Sequence, residues 1–248
     1  MNKNYIDSLI DDIVYANWIL FNEGVLDAFG HISARNPENR DTFFLARNMA
    51  PGLVTRDDIL EFDLEGNVVG NDQRKVYLER YIHSEIYKYR EDVDAIVHSH
   101  SKSVLPFSVV RSQPLRPMCH MSGFIGMQVP VFEIREVAGE STNMLITNGN
   151  LGRSLTNVLG SHTLVLMRGH GSTVVAPSLK QAVYRAIYVE VNAQLQIDAS
   201  RLGPVEFLSK GEALATQETN EGQVERPWNL WKAIAINAQK SWQSTEEG

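Results

Sequence analysis

Apolar positions near the start of the chain fall at helical intervals: Ile6, Leu9, Ile10, Ile13 and Val14, then Leu20 and Phe21, before Gly24. That spacing predicts an amphipathic helix with a glycine just past its end. From Gly30 to Val69 the texture changes to short runs (HISAR, TFFLA, ILEFD, NVV) separated by Pro, Asn and Gly, which read as strands. The Leu64-Glu65-Gly66-Asn67 stretch is a hairpin turn between two of them. Helical periodicity returns over Leu78 to Tyr89. Ala95-Ile96-Val97 then reads as a short buried strand ending in His98-Ser99-His100, and a second, Thr163 to Met167, runs into Arg168-Gly169-His170-Gly171. Ser178 to about Ser200 is the longest helical pattern, with Ser178 as its N-cap. The polar stretch Gln217 to Gln223 reads as a loop before a last helix, in which Trp228, Trp231, Ile234 and Ala235 form an apolar stripe for core or subunit packing. Strands outnumber crossover helices in the middle of the chain. The expected architecture is one α/β domain, a mixed or mostly antiparallel sheet with helices on its faces.

Composition narrows the class of protein. The 248 residues suit one large domain or two small ones, and no linker, low-complexity tract or repeat divides them. No apolar window is long enough to span a membrane, and the acidic N-terminal segment lacks the basic start of an export signal. The single cysteine, Cys119, cannot build a disulfide framework, which fits a reducing cytoplasm. A net charge of -7 without a basic stripe argues against nucleic acid as a partner. Seven histidines are left to be explained.

His98 and His100 are two apart at a strand end, so their side chains point to the same face. Such a pair is half of a transition-metal site; the other reading is two solvated histidines at a strand edge. His170 adds a third imidazole in a Gly-His-Gly turn directly after an apolar strand, and Glu79 a carboxylate on the helix leading to the His98 strand. Three histidines and one carboxylate suit Zn²⁺, Mn²⁺ or Fe²⁺. The nucleophile-elbow, phosphate-loop, dinucleotide and H-E-x-x-H patterns are all missing. Cys119-His120 is a poor nucleophile dyad, because adjacent residues rarely aim both side chains at one point. His83, at i+4 from Glu79, could support the site from behind, although a packed or surface histidine is the plainer reading; His162 is expected to be solvated.

With Glu79, then His98-Ser99-His100, then LVLMRGHGSTVVAPSLKQAV, the chain resembles the class II aldolase/adducin family, and VTRDDILEFDLEGNVV resembles that family's paired strands. The resemblance covers roughly residues 5 to 200. It implies a three-layer fold with a central, mainly antiparallel sheet flanked by helices, so that residues 1–248 make a single domain with a C-terminal helical extension from about 205. It also implies one divalent metal ion per chain (Mn²⁺ or Zn²⁺, with Fe²⁺ possible) held by His98, His100 and His170. Glu79 would be the acid/base and possible fourth ligand. Family enzymes are commonly tetramers with interfacial sites, so a homotetramer is expected.

Three short segments depart from the family's sugar-phosphate aldolases. Gly30-His31-Ile32-Ser33 stands for a Gly-Asn-x-Ser turn, Leu45-Ala46-Arg47-Asn48 for a Thr-x-Ser-Gly turn, and Tyr77-Leu78 for a Ser-Ser pair. The last change removes two hydroxyl donors and adds bulk, which takes away a phosphate cradle. Arg47 offers a planar fork for a carboxylate, or else pairs with a nearby acid. Tyr77 and Phe29 could line a flat slot. EGVLDAFGHIS, FLARNMAP and ERYIHSEIYK are similar to a branch of decarboxylases acting on hydroxylated aromatic or pyridine carboxylic acids. The expected activity is therefore a metal-dependent carbon–carbon lyase, a decarboxylase of a small anionic carboxylate. His31, Ser33, Arg47 and Asn48 would contact the substrate, and His120 could reach the pocket from its loop. An aldolase cleaving a hydroxy-ketone or sugar phosphate is the alternative. A non-catalytic adducin-like protein and an Fe²⁺-dependent oxygenase complete the field.

Overall fold

A computed structural model describes residues 3–246. In chain order its elements are α1 (Lys3–Asn22), β1 (His31–Arg35), β2 (Thr42–Ala46), β3 (Ile59–Asp63), α2 (Arg80–Tyr89), β4 (Ala95–Ser99), α3 (Leu105–Val109), β5 (Val131–Phe132), α4 (Arg135–Ala138), α5 (Gly149–Leu159), β6 (Leu164–Met167), β7 (Gly171–Ala176), α6 (Leu179–Leu202), α7 (Lys210–Glu221) and α8 (Glu225–Glu246). The strands form one 7-stranded sheet in the order β3-β2-β1-β4-β7-β6-β5. Every neighbouring pair is antiparallel except β5 with β6. The mixed, mostly antiparallel α/β sheet expected from the sequence is the one observed.

Strands β1, β2, β4, β6 and β7 are buried at every position. Burial on both faces explains why they read as apolar runs rather than as alternating patterns. The β3 strand alternates half-buried and buried residues, as the last strand on its side of the sheet. Its hairpin partner shortens to a single bridge, Phe62 with Val68, around a turn in which Gly66 has φ +80°. Ser178 caps α6 as expected, accepting from the Gln181 N–H. No described helix is long and apolar enough to cross a membrane.

Two expectations about the C-terminal region need correction. Gln217 to Glu221 is the end of α7 and not a loop. The helix starts with a capping box, Ser209 with Glu212, whose two reciprocal bonds offset its polar sequence. Its one buried small face, at Ala213, presses on the turn His120–Ile125, where a Cβ on Gly123 would lie 2.2 Å from the Ala213 carbonyl oxygen. In α8, Trp228, Trp231 and Ala235 are buried, but Ile234 is 44% exposed. At roughly 100° per residue, Ile234 lies about 240° round the helix from Trp228, outside the stripe that faces α1 and α6.

Candidate metal centre

Register sets the site. Strands β1 and β4 pair with His31 opposite His98, so His31, Ser33 and His98 share one face of the sheet. His100, one residue past the end of β4, continues that face. Helix α2 lies over it, since His83 bonds to both His31 and Ser33. Glu79 immediately precedes α2 with φ -91° and ψ 16°, and the helix therefore begins later than the periodicity from Leu78 suggests. Its carboxylate is not used as a helix cap and turns towards the histidines instead.

His170 arrives from the turn between β6 and β7, where Gly169 has φ +64°. Gly171 makes the approach possible. A Cβ there would stand 2.2 Å from the Ser99 carbonyl oxygen and 3.0 Å from His100 Cδ2, so only a residue without a side chain lets this turn lie against His98-Ser99-His100.

Four donor groups, one each from Glu79, His98, His100 and His170, lie within 4.8 Å of one another. His100 Nε2 is 3.2 Å from His98 Nε2 and 3.1 Å from His170 Nε2. Glu79 Oε2 is 3.4 Å from His170 Nε2 and 3.6 Å from His98 Nε2. Ligands around a tetrahedral Zn²⁺, with bonds of 2.0–2.1 Å, stand about 3.3–3.4 Å apart. These four separations, 3.1–3.6 Å, bracket that spacing.

Outer hydrogen bonds fix which atoms face inward. His98 Nδ1 donates to the Ser172 carbonyl at 3.1 Å, and His170 Nδ1 donates to the Met144 carbonyl at 2.9 Å. A carbonyl only accepts, so each Nδ1 carries a proton and each ring turns its Nε2 into the cluster, the atom a metal would take. Met144 delivers its carbonyl from a left-handed backbone, φ +69°, strain of the kind that collects at functional sites. Glu79 Oε1 accepts from the Ile146 N–H at 3.0 Å, which leaves Oε2 for the histidines.

Charge is distributed to match. Burial alone would raise the Glu79 pKa, but hydrogen bonds and charge interactions with His170 and His98 outweigh it and hold the carboxyl well below its ordinary range. Burial and then the neighbouring imidazoles depress His100 to about 4. His170 is raised, because Glu79 more than offsets its burial. The groups present are thus one carboxylate and three imidazoles whose Nε2 atoms converge, and with a cation in place of the protons shared with Glu79 they fit a divalent ion.

Beside the cluster opens a cleft of about 360 Å³, lined by His100 and His170 together with Phe29, Asn143, Met144 and Leu145. Phe29 is 68% exposed at its rim, near the slot position expected for it. The other expected slot residue, Tyr77, is buried against the His31 ring, with its hydroxyl donating to the Met49 carbonyl.

The expected substrate contacts separate. His31 is buried with its ring centroid 5.1 Å from that of His98. Ser33 is fully enclosed, bonded to His83 Nδ1 at 2.6 Å and Tyr87 at 2.8 Å, and has no opening to the cleft. Arg47 donates through Nε to Asp58 at 2.7 Å, the ion-pair alternative. Asn48 is exposed, its N–H bonded to the Lys75 carbonyl. His120 is exposed, its carbonyl accepting from the Asn220 side-chain amide, and His162 is exposed as expected.

His83 is the residue whose importance the sequence hides. It is wholly buried, and burial followed by the charge of His98 lowers its pKa to about 3; burial and then His83 push His31 well below its usual value. An unfolded histidine titrates near 6.5, so below that pH the unfolded chain binds protons that the native chain refuses. Stability should therefore be full above pH 6.5 and fall as pH drops from there towards about 3. Each such histidine adds a slope of about 1.4 kcal/mol per pH unit. Urea midpoints between pH 7 and 4 will show this slope, and His83→Gln will reduce it. A flat profile would mean that these rings accept protons in the native state.

The Class II Aldolase and Adducin N-terminal domain family matches residues 11–197. A decarboxylase, tropJ, of Talaromyces stipitatus is 39% identical, over 86% of this chain and 88% of its own length. The 3,4-dihydroxyphthalate decarboxylase of Arthrobacter keyseri is 30% identical, over 77% of this chain and 78% of its own. Among solved structures, the L-fuculose 1-phosphate aldolase of Glaciozyma antarctica superposes with a TM-score of 0.75 at 24% identity, covering 94% of this chain and 90% of that one. This chain belongs to the class II aldolase/adducin family.

Proposed function

We propose that the protein is a divalent-metal-dependent decarboxylase of a hydroxylated aromatic or heteroaromatic carboxylic acid. The observation that carries the reading is the convergence of Glu79 Oε2 with the inward-facing Nε2 atoms of His98 and His170 around His100. Two relatives named decarboxylases, one of them for a dihydroxyphthalate, point the same way. His98, His100 and His170 would hold the ion, with Glu79 as a fourth donor; Zn²⁺ and Mn²⁺ suit this set, and Fe²⁺ suits the same atoms. When bound, the ion would draw a ring oxygen and the neighbouring carboxylate oxygen together and stabilise negative charge as CO₂ departs.

The protein groups would do the rest. Glu79, ionised and with Oε2 turned inward, accepts the proton of the substrate hydroxyl. It returns that proton to the ring carbon, which keeps the electron pair of the broken carbon–carbon bond. His31, beside His98, is the substrate contact that remains; Ser33 acts through His83, and Arg47 is held by Asp58. The open rim of the cleft, with Phe29 bare, fits closure by a neighbouring copy in a homotetramer.

A panel of hydroxybenzoates, hydroxyphthalates and hydroxypyridine carboxylates should yield CO₂ from at least one member. Cleavage of L-fuculose 1-phosphate, with no CO₂ from any acid, would overturn the proposal in favour of an aldolase.

A further inference from the structure

Behind the metal-ligand cluster, four buried side chains from β1 and α2 form one hydrogen-bonded line. The Tyr87 hydroxyl meets Ser33 Oγ at 2.8 Å, Ser33 Oγ meets His83 Nδ1 at 2.6 Å, and His83 Nε2 meets His31 Nδ1 at 2.6 Å. Tyr87 is 1% exposed and Ser33 and His83 are 0% exposed, so water cannot supply missing partners in their place. We propose that this line is polarised from Tyr87 to His31, and that it holds His31 as the Nε2–H tautomer, a hydrogen-bond donor for a substrate oxygen beside the metal ligands.

The direction follows from the end of the line. A phenol hydroxyl has one proton to give, and among the described residues the Tyr87 hydroxyl has one hydrogen-bond partner, Ser33. The charged neighbour, Arg35, lies over the Tyr87 ring face with its guanidinium carbon 4.6 Å from the centroid, and donates to the Tyr87 carbonyl; it has no acceptor to offer. Tyr87 therefore donates to Ser33, and the Ser33 proton is directed to His83 Nδ1. A ring that accepts at Nδ1 carries its proton at Nε2, so His83 donates to His31 Nδ1, and His31 in turn carries its proton at Nε2. Reversing the line would leave the Tyr87 O–H buried and unpaired, the costly arrangement for a buried donor. Both imidazoles are enclosed and neither is bonded to a carboxylate, so a second proton on either would be a buried, unpaired charge.

The histidines on this side of the sheet thus divide into two kinds. His98 and His170 donate from Nδ1 to carbonyl partners and turn Nε2 towards a cation. His31 is prepared the opposite way and cannot act as a ligand through Nε2. An N–H beside a cation selects an anionic oxygen, a carboxylate or phenolate. That the oxygen belongs to a hydroxyaromatic acid rests on the proposed function; the tautomer does not.

The test is a long-range ¹H–¹⁵N correlation spectrum of the full-length protein labelled at its imidazole nitrogens, stripped of metal and then loaded with Zn²⁺. Spectra of His31→Gln and His83→Gln identify the two rings. Both should show the Nε2–H pattern in both states. An Nδ1–H pattern for His31, or two protons on His83, would overturn the proposal. Ser33→Ala cuts the line and should give His31 a mixed tautomer. It should raise KM for 3,4-dihydroxyphthalate roughly tenfold, the loss of one hydrogen bond to a charged group, with kcat changed much less; Ser33→Thr should restore both. An unchanged His31 pattern in Ser33→Ala would count against the line. Where Ser33→Ala does not fold, the wild-type spectrum decides. The expected tautomers with no CO₂ from any acid would refute the function and leave the polarised line standing.

Discussion

Replacing His98 with alanine is expected to remove bound metal and turnover together. His98 is fully buried, its ring held by the Ser172 carbonyl on one side while Nε2 stands 3.2 Å from His100 and 3.6 Å from Glu79 on the other. Losing an outer partner of a metal-bound histidine costs 10–100-fold in affinity or activity. Losing the ligand itself should exceed this, so a fall of more than about a hundredfold is expected in both. Because an emptied buried position also loosens packing, His100→Ala provides the parallel case at a half-buried ligand. Metal content per folded chain, measured alongside kcat, checks the prediction. Full metal occupancy in both variants would mean that the ion is held elsewhere.

Glu79→Gln should separate the two losses. Glutamine keeps an oxygen for the Ile146 N–H, so the local backbone has no reason to move. What disappears is the inward carboxylate oxygen facing His98 and His170. Three imidazoles still hold the ion, whereas the group that carries the proton is gone. General acid–base catalysis contributes roughly 10²–10⁴-fold, and kcat should fall by that range while metal content stays near wild type. A kcat within tenfold of wild type would assign the proton to another group.

Much of this centre was legible in the chain. The i, i+2 spacing of His98 and His100 places both on one face whatever the sheet around them, and the Gly-His-Gly turn marks a histidine brought close by backbone without side chains. Gly171 shows the reason, because its Cβ would collide with the Ser99 carbonyl. The outer bonds were not legible. The Met144, Ile146 and Ser172 groups act through the backbone, which any residue could supply, so the identities of these residues carry no signal. His83 had a weak one: it lies one turn after Glu79 on α2, and His31 and Ser33 alternate on the strand beneath. Only the pairing of those two periodicities shows a buried line. Arg47 was open to both readings, and Asp58, eleven residues on, is a partner that spacing alone could not place.

In the C-terminal region the same limits applied. The polarity of QETNEGQ suggested a loop, but a capping box ahead of it and one small contact at Ala213 suffice for a helix. Tertiary packing decided what local composition left undecided.

Chemistry at this centre is expected to depend on a divalent ion held by His98, His100 and His170, with Glu79 beside it as proton carrier. The most direct measurement is CO₂ release from an accepted hydroxyaromatic acid as stripped protein is titrated with Zn²⁺ or Mn²⁺. Release should be absent without metal, rise in proportion to occupancy and saturate at one ion per chain. Release by the stripped protein at the rate of the loaded one would show that the reaction needs no metal at this centre.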